Sequence, residues 1–344
     1  MNKYNLKKRN PNIKFNSFLK YNNNNQLKSN IFEIYKSIQN HNFYIIIPNK
    51  STNNIDIFSL NKNELEIYKI LKGQYYEISI LKYYKSDKNE EYLLSTNIIE
   101  NITIWDISHD YIILKIIETN YKCNMYSNLL LFTPNEYYIV TTCSIDIYNI
   151  NDSFTRLYSL KDGKLIKNIP GTNLNITCYI LKWFNKIDNN YYIIECCQGK
   201  ICIYNIYNYA LYIAFFNEKH ESNFYKGFIY SKNDNDYLIS GDDCGRIFIW
   251  NLITKTEIRK IYVYNENNLQ NQIYHMNQWD KKYFYVYEFK RNSIIFIDFD
   301  QLKKVSCFKF NKYFNIEDIK VINLPFYGKS LLISNEGNNI EIWN

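Results

Sequence analysis

The sequence predicts an all-β fold made of one repeated four-stranded unit, and three observations carry that prediction. Isoleucine and tyrosine (the latter 35 of 344 residues) lead the apolar residues while alanine is scarce, and β-branched and aromatic side chains suit a pleated, buried surface. The stretch ISGDDCGRIFIWNL (239–252) has counterparts along the chain. Strand-length apolar segments flank the copies in the same order each time.

The clearest counterparts are LLSTNIIENITIWDI (93–107), IIECCQGKICIYNI (193–206) and LLISNEGNNIEIWN (331–344), and weaker ones are NNIDIFSL (53–60), SFTRLYSL (153–160) and NSIIFIDF (292–299). They align on Phe58, Trp105, Tyr158, Tyr204, Trp250, Ile297 and Trp343, spaced 46 to 53 residues apart. In the fifth copy the elements read, in order, as strand a over 224–231 (FYKGFIYS), strand b over 236–240 (DYLIS), strand c over 246–252 (RIFIWNL) and strand d over 256–263 (TEIRKIYV). Strand c is apolar on both faces, as a sheet covered on both sides requires, and strand d alternates better, as an outer strand should. The b–c segment DDCGR reads as a hairpin turn, not as a calcium loop. Nine glycines and five prolines are few for so many turns, so asparagine, which tolerates positive φ, is expected to make many of them.

A period in the forties with a strand ending in Trp-Asp marks a propeller blade. With Trp105-Asp106, Trp250-Asn251 and Trp343-Asn344, the chain resembles the WD-repeat β-propeller family over essentially its whole length. The resemblance implies a seven-bladed β-propeller of four-stranded antiparallel blades. After a basic leader at 1–11, residues 12–344 then form a single propeller in which 12–21 (NIKFNSFLKY) supply the missing fourth strand of the last blade and close the ring. An open ring would leave long strand edges exposed.

The family's buried set of His, Ser, Asp and Trp is incomplete here. His220, Ser240 and Trp250 fall near the expected places in the fifth blade, but Cys244 holds the turn-aspartate position, with Asp243 one residue early. The second blade keeps Ser95 and Trp105 and has Ile99 where the aspartate belongs; the third has Asp152 but Tyr158 in place of Trp. The chain thus reads as a divergent member stabilised mainly by apolar stacking, with Ser95, Trp105, His220, Ser240, Trp250 and Trp343 as blade-structural residues. Its Trp-Asp-like dipeptides lack the arginine that marks one class of ubiquitin-ligase receptors, and no F-R-R-G phosphoinositide motif is present.

No phosphate loop, H-E-x-x-H or G-x-S-x-G motif occurs, so no catalytic, cofactor-binding or metal-ligating residue is assigned and the chain is not expected to be an enzyme. Eight scattered cysteines without a C-x-x-C pair read as reduced core residues of an intracellular protein. No apolar run nears the length of a membrane span, and cytoplasmic localisation is expected, with the nucleus equally open. The formal charge is +7, and residues 1–20 carry six lysines and arginines without one acid. A basic arm for nucleic acid and a solvated leader both fit that run.

The expected function is a non-catalytic protein–protein interaction scaffold, a subunit or adaptor that presents loop residues on a rigid frame to a protein or peptide partner. The candidate contacts sit in or beside b–c turns: Asp152, Asp243, Lys290, Arg291 and Glu336. The alternative is a nucleic-acid-associated propeller in ribosome assembly or RNA processing, using the basic leader and loop aromatics such as Tyr121 or Tyr264.

Overall fold

A computed structural model describes residues 32–343 apart from 50, 61–64, 74–75, 98–100, 119–123, 145–152, 171–178, 198, 217–222, 264–272, 311–315, 325–327 and 336–339. Six four-stranded antiparallel sheets follow one another: Glu33–Leu71 (blade 1), Ile78–Ile117 (blade 2), Asn124–Pro170 (blade 3), Tyr179–Phe216 (blade 4), Phe224–Tyr262 (blade 5) and Ile273–Lys309 (blade 6). In each, the strands a to d lie side by side in chain order. A seventh sheet, over Ile316–Trp343, has three strands. The fold is therefore a β-propeller of four-stranded blades, with six such blades among the described residues where seven were expected. The segment 12–21, expected to complete the last sheet, lies outside the described residues. By its internal contacts the chain divides into two compact units, one of residues 78–278 and 286–291, the other of 1–77, 279–285 and 292–344.

The repeat period has a packing cause. In the first unit, one apolar cluster joins blades 2 and 3, a second joins blades 3 and 4, and a third joins blades 4 and 5. Each cluster receives the aligned aromatic of the later blade: Tyr158 in the first, Tyr204 in the second and Trp250 in the third. In the other unit Phe58 packs with Ile322, Leu324 and Leu332 of the last sheet, and Trp343 lies edge-on against Phe308 and Phe310 of blade 6. Five of the aligned residues, Phe58, Tyr158, Tyr204, Trp250 and Trp343, thus fill a seam with a neighbouring sheet. Strand c is buried on both faces because alternate residues serve opposite seams: in blade 4, Ile201 and Ile203 face blade 5 while Cys202 and Tyr204 face blade 3.

The residue after the aligned one closes the c–d turn. The Asn251 side-chain oxygen accepts from the backbone N–H of Ile253 (2.8 Å) and Thr254 (2.9 Å). Asn205 does the same for Tyr207 and Asn208, and Asp298 for Asp300 and Gln301. This is the Asx-turn chemistry that suits Asn and Asp to such positions. The Trp-Asp-like dipeptide thus combines a seam filler with a turn cap. Asparagine also supplies positive φ at Asn53, Asn89, Asn189, Asn233 and Asn292.

Strand d departs from the expected alternation. In blade 5 (Thr256–Tyr262) four successive residues are exposed, Ile258 among them, because no strand lies beyond it at the rim. In all six four-stranded sheets the c–d pairing slips at the aligned residue, leaving one strand d residue unopposed: Tyr68, Leu114, Ile166, Tyr212, Ile258 and Val305 in turn. Such bulges bend and twist a strand, here at the same step of every blade.

Close packing between blades 4 and 5 requires Gly227. A Cβ there would meet the Tyr179 hydroxyl and lie 2.6 Å from the Ile239 carbonyl oxygen. Gly227→Ala is expected to cost about 1–3 kcal/mol, as overpacking does, read as a lower urea midpoint with an unchanged slope.

Candidate functional site

The b–c turn of blade 5 is fixed by an acid that the repeat pattern does not single out. Asp242 is fully buried at the end of strand b (Asn235–Asp242). One carboxylate oxygen accepts from the backbone N–H of Cys244 (3.0 Å) and Arg246 (2.8 Å), and the other from Arg246 Nε (2.6 Å). Gly245 provides the left-handed step of the turn (φ +72°). Asp242 thus organises the hairpin from two residues ahead of Cys244, the position that matches the family's turn aspartate.

Asp243, a candidate contact residue, faces the neighbouring chain entry. Its carboxylate accepts from the Asn223 backbone (3.1 Å) and side-chain amide (3.2 Å), tying the b–c turn to the start of strand a (Phe224–Lys232). Asp242, Asp243 and Cys244 place their ligand atoms within 4.8 Å of one another. Both Asp242 oxygens are already engaged, with the Arg246 cation bound to one of them, and burial together with Asp242 and Asp243 pushes the Cys244 thiol up to about 11. This is the chemistry of a locked turn; the donor set does not suit a cation.

Lys290 and Arg291 lie exposed in the b–c turn of blade 6, between strands Tyr283–Glu288 and Ser293–Asp298. Arg291 Nε reaches the buried Glu288 carboxylate at 3.6 Å. Asp152, Glu336 and His220 lie outside the described residues, as do Tyr121, Tyr264 and the basic leader. The structure therefore brings Lys290 and Arg291 together and places Asp243 in the equivalent turn of the preceding blade.

Two Trp–Ser pairs repeat ten residues apart. Trp105 Nε1 donates to Ser95 Oγ (2.9 Å) and Trp250 Nε1 to Ser240 Oγ (3.0 Å), both inside the core. Trp343 is half-buried at the last strand. A further bond crosses between blades: Trp183 Nε1 donates to Asp236 Oδ2 (2.8 Å). Together these tie strand c to strand b within blades 2 and 5 and join blade 4 to blade 5.

The thiols follow their surroundings. Cys196, Cys197 and Cys202 are buried, as expected, and burial chiefly pushes the Cys202 thiol up to about 11. Cys244 is half-buried and Cys307 exposed, which corrects their reading as core residues; Cys307 sits on a rim strand (Lys303–Lys309) with one face open. Among the described residues no helix is long and apolar enough to cross a membrane.

Glu195 is the unexpected group. It lies fully buried in strand b of blade 4 (Asn190–Cys196), opposite Cys202, and among the described residues neither carboxylate oxygen has a hydrogen-bond partner. Burial raises its pKa to about 7, opposed only in part by the Thr155 hydroxyl, which lies near without completing a hydrogen bond, and by the Lys200 charge. Its one signal in the sequence is a lone acid inside IIECC.

No family model matches the chain, and no curated protein matches it. Among solved structures, it is similar to BBS1N from its complex with ARL6DN (11% identity, TM-score 0.63, covering 92% of this chain and 91% of that one). It is similar to a chain of the mitotic checkpoint complex (10%, 0.65, 93% and 91%). It also matches Chaetomium thermophilum Raptor (11%, 0.67), where it covers 93% of this chain but 29% of that one. At such identities the likeness speaks for architecture alone, and that architecture is the β-propeller.

Proposed function

We propose that this chain is a divergent WD-repeat propeller acting as a non-catalytic interaction scaffold, a subunit or adaptor of a larger complex inside the cell. The observation that carries this reading is the locked b–c turn of blade 5. Asp242 holds its backbone and Asp243 ties it to Asn223 at the start of strand a, and the apolar seams make the blades behind it a fixed support. A turn held in one conformation loses little entropy on binding, which favours recognition of another surface. The neighbours are consistent with it, since BBS1N was solved with ARL6DN and another match belongs to the mitotic checkpoint complex. Asp243, Lys290 and Arg291 are the proposed contacts, with Asp152 and Glu336 as their counterparts in two other b–c turns. The cytoplasm is the proposed compartment.

Affinity purification from the native cell after mild crosslinking, with half the sample treated with nuclease, tests the proposal. Protein companions that persist after nuclease are the expected result. Companions that vanish would replace it with a nucleic-acid role, whose binding would also weaken steeply with salt.

The same reading includes a seven-bladed ring in which 12–21 complete the last sheet, three-stranded among the described residues. Deleting residues 1–22 is then expected to abolish cooperative unfolding or cause aggregation. A truncated chain that melts like the full one would remove the closing strand from the account.

A further inference from the structure

A cleft of about 360 Å³ opens between blades 2 and 3, at the end of these sheets that carries the a–b and c–d turns, opposite the b–c turns. Its floor is apolar and aromatic: Tyr92, Leu114, Tyr137 and Leu160. Leu114 is the residue that the strand d bulge of blade 2 leaves unopposed, and it stands 42% exposed beside the cleft. Tyr137 is held in place. It sits edge-on to Phe132 (4.8 Å between ring centres) and donates its hydroxyl to Glu90 Oε2 (2.8 Å), which also accepts from Ser86 Oγ (3.0 Å).

The rim is cationic. Lys88, Lys115 and Lys161 line the cleft against one carboxylate, Glu136. Glu90 lies behind, still charged, hydrogen-bonded by the two hydroxyls and set against Lys88, and Asp87 acts on Tyr137 from the same turn, so the cations left for a ligand are Lys115 and Lys161, neither of them ion-paired among the described residues. Asp162, next to Lys161, pairs instead with Lys164 (3.7 Å). Lys115 lies across the c–d turn of blade 3, where Gly163 (φ +75°) leaves room: a Cβ there would fall 3.2 Å from Lys115 Cδ. Lys88 Nζ stands 5.7 Å from the centre of the Tyr137 ring.

We propose that this cleft docks an acidic peptide segment of a partner protein, one branched or aromatic side chain seated on Tyr92, Leu114, Tyr137 and Leu160 and flanking carboxylates held by Lys115 and Lys161. The proposal rests on the scaffold reading and adds a second working face to it. A pocket with an apolar floor gives affinity, and a rim of one sign gives partner choice. The occupant's chemistry follows from complementarity: apolar at the centre, acidic at both sides.

A random heptapeptide library displayed on messenger RNA, selected on the full chain and on Lys115→Glu/Lys161→Glu, is the test. Enrichment of an apolar position flanked by Asp or Glu, with binding weakened at least tenfold by the double variant and by Leu114→Ser, is expected. All three substituted positions are solvent-accessible, and matching thermal melts establish that the variants are folded. No enrichment, enrichment indifferent to the variants, or binding of a uridine 20-mer in place of peptides overturns the proposal. If nuclease-resistant companions are purified while the library yields nothing, the cleft fails and the scaffold stands; loss of both sinks both.

Discussion

Trp250→Ala is expected to lower stability by about 3–5 kcal/mol, the range for truncating a buried aromatic. Trp250 is 2% exposed, stacks on Phe215 (4.6 Å) and lies parallel to Phe248 (5.5 Å, 9°) in the seam between blades 4 and 5. Its indole N–H also satisfies Ser240, which is fully buried. The alanine variant loses apolar contact, opens a cavity and orphans a hydroxyl. Trp250→Phe keeps most of the contact and loses the hydrogen bond, at a cost of about 1–2 kcal/mol. Urea unfolding followed by circular dichroism gives both numbers, and a near-neutral alanine variant would mean that the seams are not what stabilises the blades.

The second large effect is a dependence on pH through Glu195. Its pKa, about 7 in the folded chain against an ordinary 4.5, is raised by burial. Below pH 4.5 the group is protonated whether the chain is folded or not. As pH rises from about 4.5 to 7 the unfolded chain releases the proton first, so stability falls through that window. The loss levels off above pH 7 at about 3 kcal/mol, since a tenfold difference in proton affinity between the folded and unfolded chain corresponds to about 1.4 kcal/mol. Glu195→Gln cannot ionise, so it should flatten this part of the profile and exceed the parent chain in stability at pH 8. Urea midpoints at about pH 5, 6, 7 and 8 check it; parallel profiles for the two proteins would contradict it.

The architecture was legible because one position per blade does the same physical work. In blades 4 and 5 a large residue fills the seam and a turn cap follows it, so Trp250-Asn251 and Tyr204-Asn205 stand out against an Ile- and Asn-rich background. The bulge in strand d was not legible, because Ile258 and Leu114 look like any other apolar residue on a rim strand. Asp242 escaped notice for a different reason. The family pattern puts the turn aspartate at a fixed distance from Trp250, whereas capping needs only a carboxylate within reach of the backbone N–H groups of Cys244 and Arg246. The cleft between blades 2 and 3 gathers residues from Lys88 to Lys161, and no local pattern announces such a convergence.

The central claim is that the b–c end of the blades is a protein-binding surface, and lysine footprinting of the natively purified complex tests it most directly. Acetylation is compared before and after the companions are released. The account predicts that Lys290, in a b–c turn, and Lys226, near the start of strand a in blade 5, gain reactivity on release, while Lys186 and Lys303, near the opposite turns, do not change. Unchanged reactivity at both Lys290 and Lys226 would contradict it.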